Sequence, residues 1–149
     1  MAIPSERPYG GFSFLVAVEG LDLDGPAAGF TRVSGLDRAV TMIPYRAGNA
    51  KTRAFTLVPG LVTPPRVVFE RGLIGSLALH EWLAAALAGR PERRAVAVDL
   101  LGEDREQTVQ RWRLLEALPT ELRASPLDAR HSEVVVESLT LVAEDLVVE

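Results

Sequence analysis

The chain contains no cysteine, so disulfides, thiolate zinc sites, iron–sulfur clusters and cysteine nucleophiles are excluded from its chemistry. Histidine is scarce, with only His80 and His131, and aromatic residues make up 6%. Lysine is almost missing: of 16 basic residues, all but Lys51 are arginine, a skew that reads first as genome composition and only second as the preference for arginine at interfaces. No run approaches the roughly 18 apolar residues that a spanning helix needs, and Met1 to Pro8 holds no apolar signal core. The glycine-rich phosphate signatures GxGxxG and GxxxxGKS/T do not occur. A net charge of -4 argues against holding nucleic acid by simple charge.

What is present suffices for one globular domain. In 149 residues, 48% are hydrophobic and 24% charged, enough to bury a core without covalent staples. Residues 1–8, with Pro4 and Pro8, read as a flexible arm, and residues 9–149 as a single domain. Phe12 to Val18 alternates in hydropathy, as a half-buried strand does. Asp22, Asp24, Gly25 and Pro26 make a turn, and Gly29 to Val33 a second strand. Asp37 to Arg46 is a longer strand in which Pro44 disfavours full pairing. The polar run Ala47 to Arg53 is too long for a tight turn and should project from the domain; Phe55 to Val58 and Pro59-Gly60 close it.

Arg66 to Arg71 is a strand with Val67 and Phe69 on one face. Ser76 then caps a helix running to Ala88, with Leu79, Trp82, Leu83, Ala86 and Leu87 as its apolar stripe and Gly89 ending it. Leu79, Trp82 and Leu83 are the expected anchors of that helix. Arg94 to Leu101 and Thr108 to Ala117 form a hairpin around Gly102 to Arg105, and Pro119 ends the second of these strands. Glu121 to Ser132 is a polar connection; Val134 to Val148 is a long last strand with a bend near Ala143-Glu144. About seven strands, one helix and no βαβ alternation imply a mainly β domain, an antiparallel barrel or sandwich with one packed α-helix.

Catalytic signals are weak. His80 has no partner at helical i+4 spacing for a metal. His131 lies beside Ser132 and close to Asp128, the residue types of a hydrolase triad. A triad, however, is assembled from separate elements of a rigid fold, so this loop reads as polar surface. Arg90, Arg93 and Arg94 form a basic cluster read as a solvated or interface-facing strand edge. No catalytic residue, cofactor or metal follows. The projection and the two-sided apolar last strand instead point to edges completed between copies, which closed rings satisfy for every copy alike.

Several segments resemble the tail tube protein family of contractile phage tails and extracellular contractile injection systems. Pro8-Tyr9-Gly10-Gly11-Phe12-Ser13-Phe14-Leu15-Val16 resembles that family's opening, and Gly29-Phe30-Thr31-Arg32-Val33-Ser34-Gly35-Leu36 its GF-x-x-VSGL segment. Tyr45-Arg46-Ala47-Gly48-Asn49 resembles EYR-x-G with Pro44 in place of the acid, and Pro59-Gly60-Leu61 resembles PGL. Val67 to Gly72 with Glu81-Trp82 resembles LKRG…EW, and Glu133 to Leu139 resembles NEVAIETLE.

The resemblance implies a structural, non-enzymatic subunit with the phage tail-tube fold. Such subunits form stacked homo-hexameric rings, an inner tube within a contractile sheath. It also implies sheath, baseplate and tube-terminator proteins as partners, with cargo or a tape-measure protein in the lumen. No specific nucleic-acid binding follows, and membranes are met only by mechanical puncture. Assembly would be cytoplasmic, and the product a phage tail or phage-tail-like particle. The extended loop, about 39–61, would carry the intersubunit and inter-ring contacts: Tyr45, Arg46, Gly48, Asn49, Lys51, Arg53, Pro59 and Gly60. Lumen-facing positions should be small or polar, a condition that Ser13, Ala17, Thr41, Thr56, Ala95, Ala97 and Asp99 meet. Two other roles remain open: a baseplate-proximal tube initiator of the same fold, and a monomeric ligand-binding barrel.

Overall fold

The computed structural model describes residues 2–23 and 28–149. Of the expected turn at Asp22–Pro26, Asp24, Gly25 and Pro26 lie outside the described residues. The elements in chain order are β1 (Phe14–Val18), β2 (Phe30–Ser34), β3 (Ala39–Tyr45), β4 (Thr56–Thr63), β5 (Arg66–Gly72), α1 (Ala78–Leu87), β6 (Arg94–Leu101), β7 (Thr108–Ala124), β8 (Val136–Val142) and β9 (Asp145–Val148). Every strand pair is antiparallel.

Seven strands form one sheet in the order β1-β6-β7-β8-β5-β2, with β9 added to β7; β3 and β4 pair only with each other. Among the described residues, β1 and β2 have no second strand neighbour, so the sheet is open and does not close into a barrel. The molecule is nevertheless mainly β with one packed helix.

β7 turns the corner between the two halves of the sheet. Its first part pairs with β6 and β9, and from Leu118 onward it pairs with β8. The corner coincides with Glu116 at φ 53 and with a register slip between Pro119 and Glu121. Pro119 therefore does not end the strand. It is buried opposite Leu141 where the ladder is already irregular, so its missing N–H is tolerated. The segment from Glu121 to Ala124, expected as connection, is strand.

The core is a single cluster in which Val16, Val18, Val96, Val98 and Leu114 meet Val67, Phe69, Leu139 and Leu141. Alternation on β5 buries Val67, Phe69 and also Arg71. Leu79 and Trp82 of α1 join this cluster; Leu83 is half-buried and Leu87 is exposed, so the apolar stripe is shorter than its spacing suggests. The Trp82 indole N–H donates to the Glu92 carbonyl at 2.7 Å, and the Arg94 guanidinium lies 5.8 Å from its ring. The helix N-cap is Leu77 and makes no side-chain cap bond, so Ser76 does not fill that role. At the other end Gly89, at φ +78, donates to the Ala86 carbonyl and Arg90 to the Ala85 carbonyl, a Schellman closure.

The last strand is divided as its bend suggests. Ala143 donates to the Pro65 carbonyl and Glu144 to the Leu115 carbonyl, which separates β8 from β9. In the N-terminal arm the Ile3 N–H donates to the Val109 carbonyl at 2.8 Å, on the strand that β9 also pairs, and the Tyr9 hydroxyl donates to the Ile3 carbonyl at 3.0 Å.

Candidate functional site

The β3–β4 hairpin stands apart from the rest of the molecule. Every residue of β3 is exposed, and every residue of β4 except Gly60. Yet four of the six cross-strand pairs are apolar: Val40–Val62, Met42–Pro59, Ile43–Val58 and Pro44–Leu57. Leu61, at 87% relative exposure, is almost wholly in solvent. A two-stranded hairpin alone is marginal in water, and a contiguous exposed apolar surface of this kind marks a binding face.

The predicted contact residues all fall on this element. Tyr45 ends β3 and is exposed. Arg46 turns inward on the tip loop: its Nε donates to the Thr52 carbonyl at 2.9 Å and its Nη2 to the Ala50 carbonyl at 3.0 Å. Arg46 thus braces a loop that also contains an Ala50 N–H to Ala47 carbonyl turn. Gly48 and Asn49 are exposed at the apex, and a Cβ on Gly48 would meet nothing within 4 Å. Lys51 and Arg53 are exposed and make no ion pair among the described residues. Pro59 and Gly60 lie toward the base. A Cβ on Gly60 would come within 3.0 Å of the Thr41 carbonyl and 3.1 Å of Ile43, where the register slips between Val40 and Met42. Gly60 is therefore the residue over which Ile43 folds.

The neck of the hairpin is closely built. Gly35 has φ +87, and a Cβ there would lie 2.2 Å from the Arg66 carbonyl oxygen. Pro64 and Pro65 lie between β4 and β5 on the other limb. The sequence pattern does not disclose that Leu57, Val58, Leu61 and Val62 are all exposed, so that β4 is apolar and uncovered on both of its faces. Their signal was the apolar run either side of Pro59-Gly60.

A buried charge pair lies in the body, away from the hairpin. Arg71 Nε donates to Glu137 Oε2 at 3.0 Å with both side chains almost fully buried, and His80 Nε2 lies 3.3 Å from Glu137 Oε1. The Arg71 guanidinium lies 5.7 Å from the Phe30 ring, which packs edge-on against Phe69. This group joins β5, β8, β2 and α1 within the body, so its role is in holding the fold.

His131 lies 3.5 Å from Asp128. Arg130 engages both Asp128 oxygens at 3.1 Å, and this pairing holds the Asp128 carboxyl below the usual range. These contacts are local to one loop. On β6 and β7, Asp99 receives both a 2.5 Å and a 2.7 Å bond from Arg111, and Arg113 reaches Glu149 at 3.1 Å. Ala17 pairs with Ala97 in the adjoining row of the sheet.

The family model of the T4-like virus tail tube protein gp19 matches residues 10–147. Among curated proteins no sequence matches. Three solved structures illustrate the likeness. A chain of the anti-feeding prophage cap (AFP tube terminating cap) is 26% identical, with a TM-score of 0.83 over 100% of this chain and 95% of that one. A chain of the six-fold symmetrised anti-feeding prophage (AFP) baseplate is 25% identical, with a TM-score of 0.82 over 97% of each chain. A chain of the sheath-tube complex of an extracellular contractile injection system, PVC, in the extended state is 24% identical and superposes with a TM-score of 0.82 over 97% of this chain and 93% of that one.

Proposed function

Because the chain belongs to the T4-like virus tail tube protein family, a family of structural tube proteins and not of enzymes, we propose that it is the repeating subunit of an inner tube. In this reading six copies close into a ring and rings stack into a tube. The observation that carries it is the β3–β4 hairpin, apolar and exposed along its length, which a monomer leaves without cover. Tyr45, Gly48, Asn49, Lys51 and Arg53 at its outer end, with Pro59 and Gly60 nearer its base, are the contact residues toward a neighbouring copy; Arg46 acts by holding the tip loop in shape. The open edges of β1 and β2 are the natural places for strand-to-strand closure within a ring.

The row of small residues and paired charges on β1, β6 and β7 suits a lumen wall. Ala17, Ala97 and the Asp99–Arg111 pair present small side chains and no unneutralised charge to passing cargo, with Leu15 opposite Asp99 the exposed apolar side chain among them. Sheath, baseplate and terminator proteins are the expected neighbours, and cytoplasmic assembly precedes incorporation into a phage tail or injection-system particle. Residues 9–149 act as one domain, with 1–8 as its arm.

A second reading, a baseplate-proximal initiator, is favoured by one observation: a chain from an AFP baseplate fits this fold as well as a chain from a sheath-tube complex does, with a TM-score of 0.82 for each. Negative-stain microscopy of the purified protein tests both. Long tubes support the main reading, rings that never stack on their own kind support the initiator, and monomers at high concentration overturn both.

A further inference from the structure

From the two ends of β5 we infer that the β3–β4 hairpin of one copy docks on an apolar patch formed by Leu73, Ile74, Leu77 and Val134 of the next copy; this rests on the tube reading. The hairpin leaves the body at one end of β5, since β4 finishes at Thr63 and β5 begins at Arg66. The patch lies at the other end, just past Gly72, seven strand residues or about 20 Å away. Leu73 donates to the Val135 carbonyl at 2.9 Å, and a Cβ on Gly72 would lie 4.0 Å from Val134, so the two chain segments adjoin. All four patch side chains are exposed.

Leu77 carries a separate signal. It occupies the N-cap of α1, where a hydroxyl or carboxylate would bond a free backbone N–H, yet it is leucine, 62% exposed and with no cap bond. An apolar side chain at a position that favours a polar one, and turned to solvent, is explained by a partner surface.

The charges fit the same pairing. Residues 39–63 contain Arg46, Lys51 and Arg53 and no acidic residue. The whole chain has 16 basic and 20 acidic residues, so 13 and 20 remain outside the hairpin, a net of -7 against its +3. Glu81, in the first turn of α1, and Glu133, next to Val134, are exposed and make no ion pair among the described residues. They flank the patch as Lys51 and Arg53 lie beyond the apolar ladder of the hairpin. A contact from one end of a subunit to the other end of the next is heterologous and repeats without limit unless it closes, which is the symmetry an axial stack requires.

Leu77→Asp tests this directly, because aspartate is a good N-cap. The expected result is an unchanged or higher melting temperature when both proteins are compared at a dilution too great for assembly, and, at assembling concentration, tubes reduced to isolated rings, at least a tenfold loss of length. Ile74→Asp serves as the second variant. In parallel, Leu57→Cys combined with Ile74→Cys, in a chain otherwise free of cysteine, is treated in assembled tubes with a bismaleimide linker. A covalent ladder extending past six chains on a denaturing gel supports the docking. Normal tubes from both aspartate variants, or no ladder from tubes of the double-cysteine protein, overturns it. If the unaltered protein forms neither rings nor tubes, the tube reading fails instead, so the two failures are distinct.

Discussion

Arg71 and Glu137 are each almost fully buried and face each other at 3.0 Å from neighbouring strands. Charges withdrawn from water are tolerable only when paired, and Glu137 is the buried carboxylate that faces both Arg71 and His80. Glu137→Ala should therefore lower unfolding free energy by about 3–5 kcal/mol, read as a shifted urea midpoint with unchanged slope. At the surface, the Asp104 carboxylate accepts the backbone N–H groups of Glu106 and Gln107, which holds its pKa below the ordinary 3.8. A depressed folded pKa means its support for the β6–β7 turn is complete above the ordinary value and is lost as pH falls through the folded value. NMR titration should place the Asp104 midpoint below 3.8, and Gln107 amide exchange should quicken only beneath that midpoint. The residue scale is where the sequence said least. Arg71 and Glu137 are 66 positions apart; nothing local marks them as partners, since pairing depends on which strands the topology places side by side.

Among elements, two glycines separate conformational from steric demand. Gly89 has φ +78 with open space around it, whereas Gly35 has φ +87 and the Arg66 carbonyl 2.2 Å from where a Cβ would stand. Gly89→Ala should cost about 1 kcal/mol, the left-handed penalty alone. Gly35→Ala should cost clearly more, because backbone must move, and it should also tilt the hairpin; paired urea titrations compare the two. Elements with a strong period or a terminator were legible. The alternation of β6, the Gly89 stop of α1 and the bend at Ala143-Glu144 are all where hydropathy and turn chemistry put them. Two errors share a cause. Local preference makes Pro119 a stop and Ser76 a cap, yet β7 runs through its corner because neighbouring strands hold it, and α1 starts at an unbonded Leu77. Tertiary context overrode propensity at both places.

For the whole molecule, the hairpin is an appendage whose apolar surface contributes nothing to the body that carries it. Among the described residues, β3 and β4 pair only with each other, and no residue of theirs belongs to the core cluster. The sequence disclosed a projection there, but its β4 face stayed hidden because a run apolar on both sides reads equally as a buried strand. Removing residues 47–51 should accordingly leave the body's urea midpoint nearly unchanged while abolishing stacking. The separation has a thermodynamic signature. If neighbouring copies cover the hairpin, assembly binds only the folded chain, so the melting temperature of the intact protein should climb with protein concentration. The shortened protein should melt with a weaker dependence on concentration, closer to the value the intact chain reaches on extreme dilution. Calorimetry over a hundredfold dilution series distinguishes this from a purely structural hairpin, whose loss would lower the melting temperature at every concentration by the same amount.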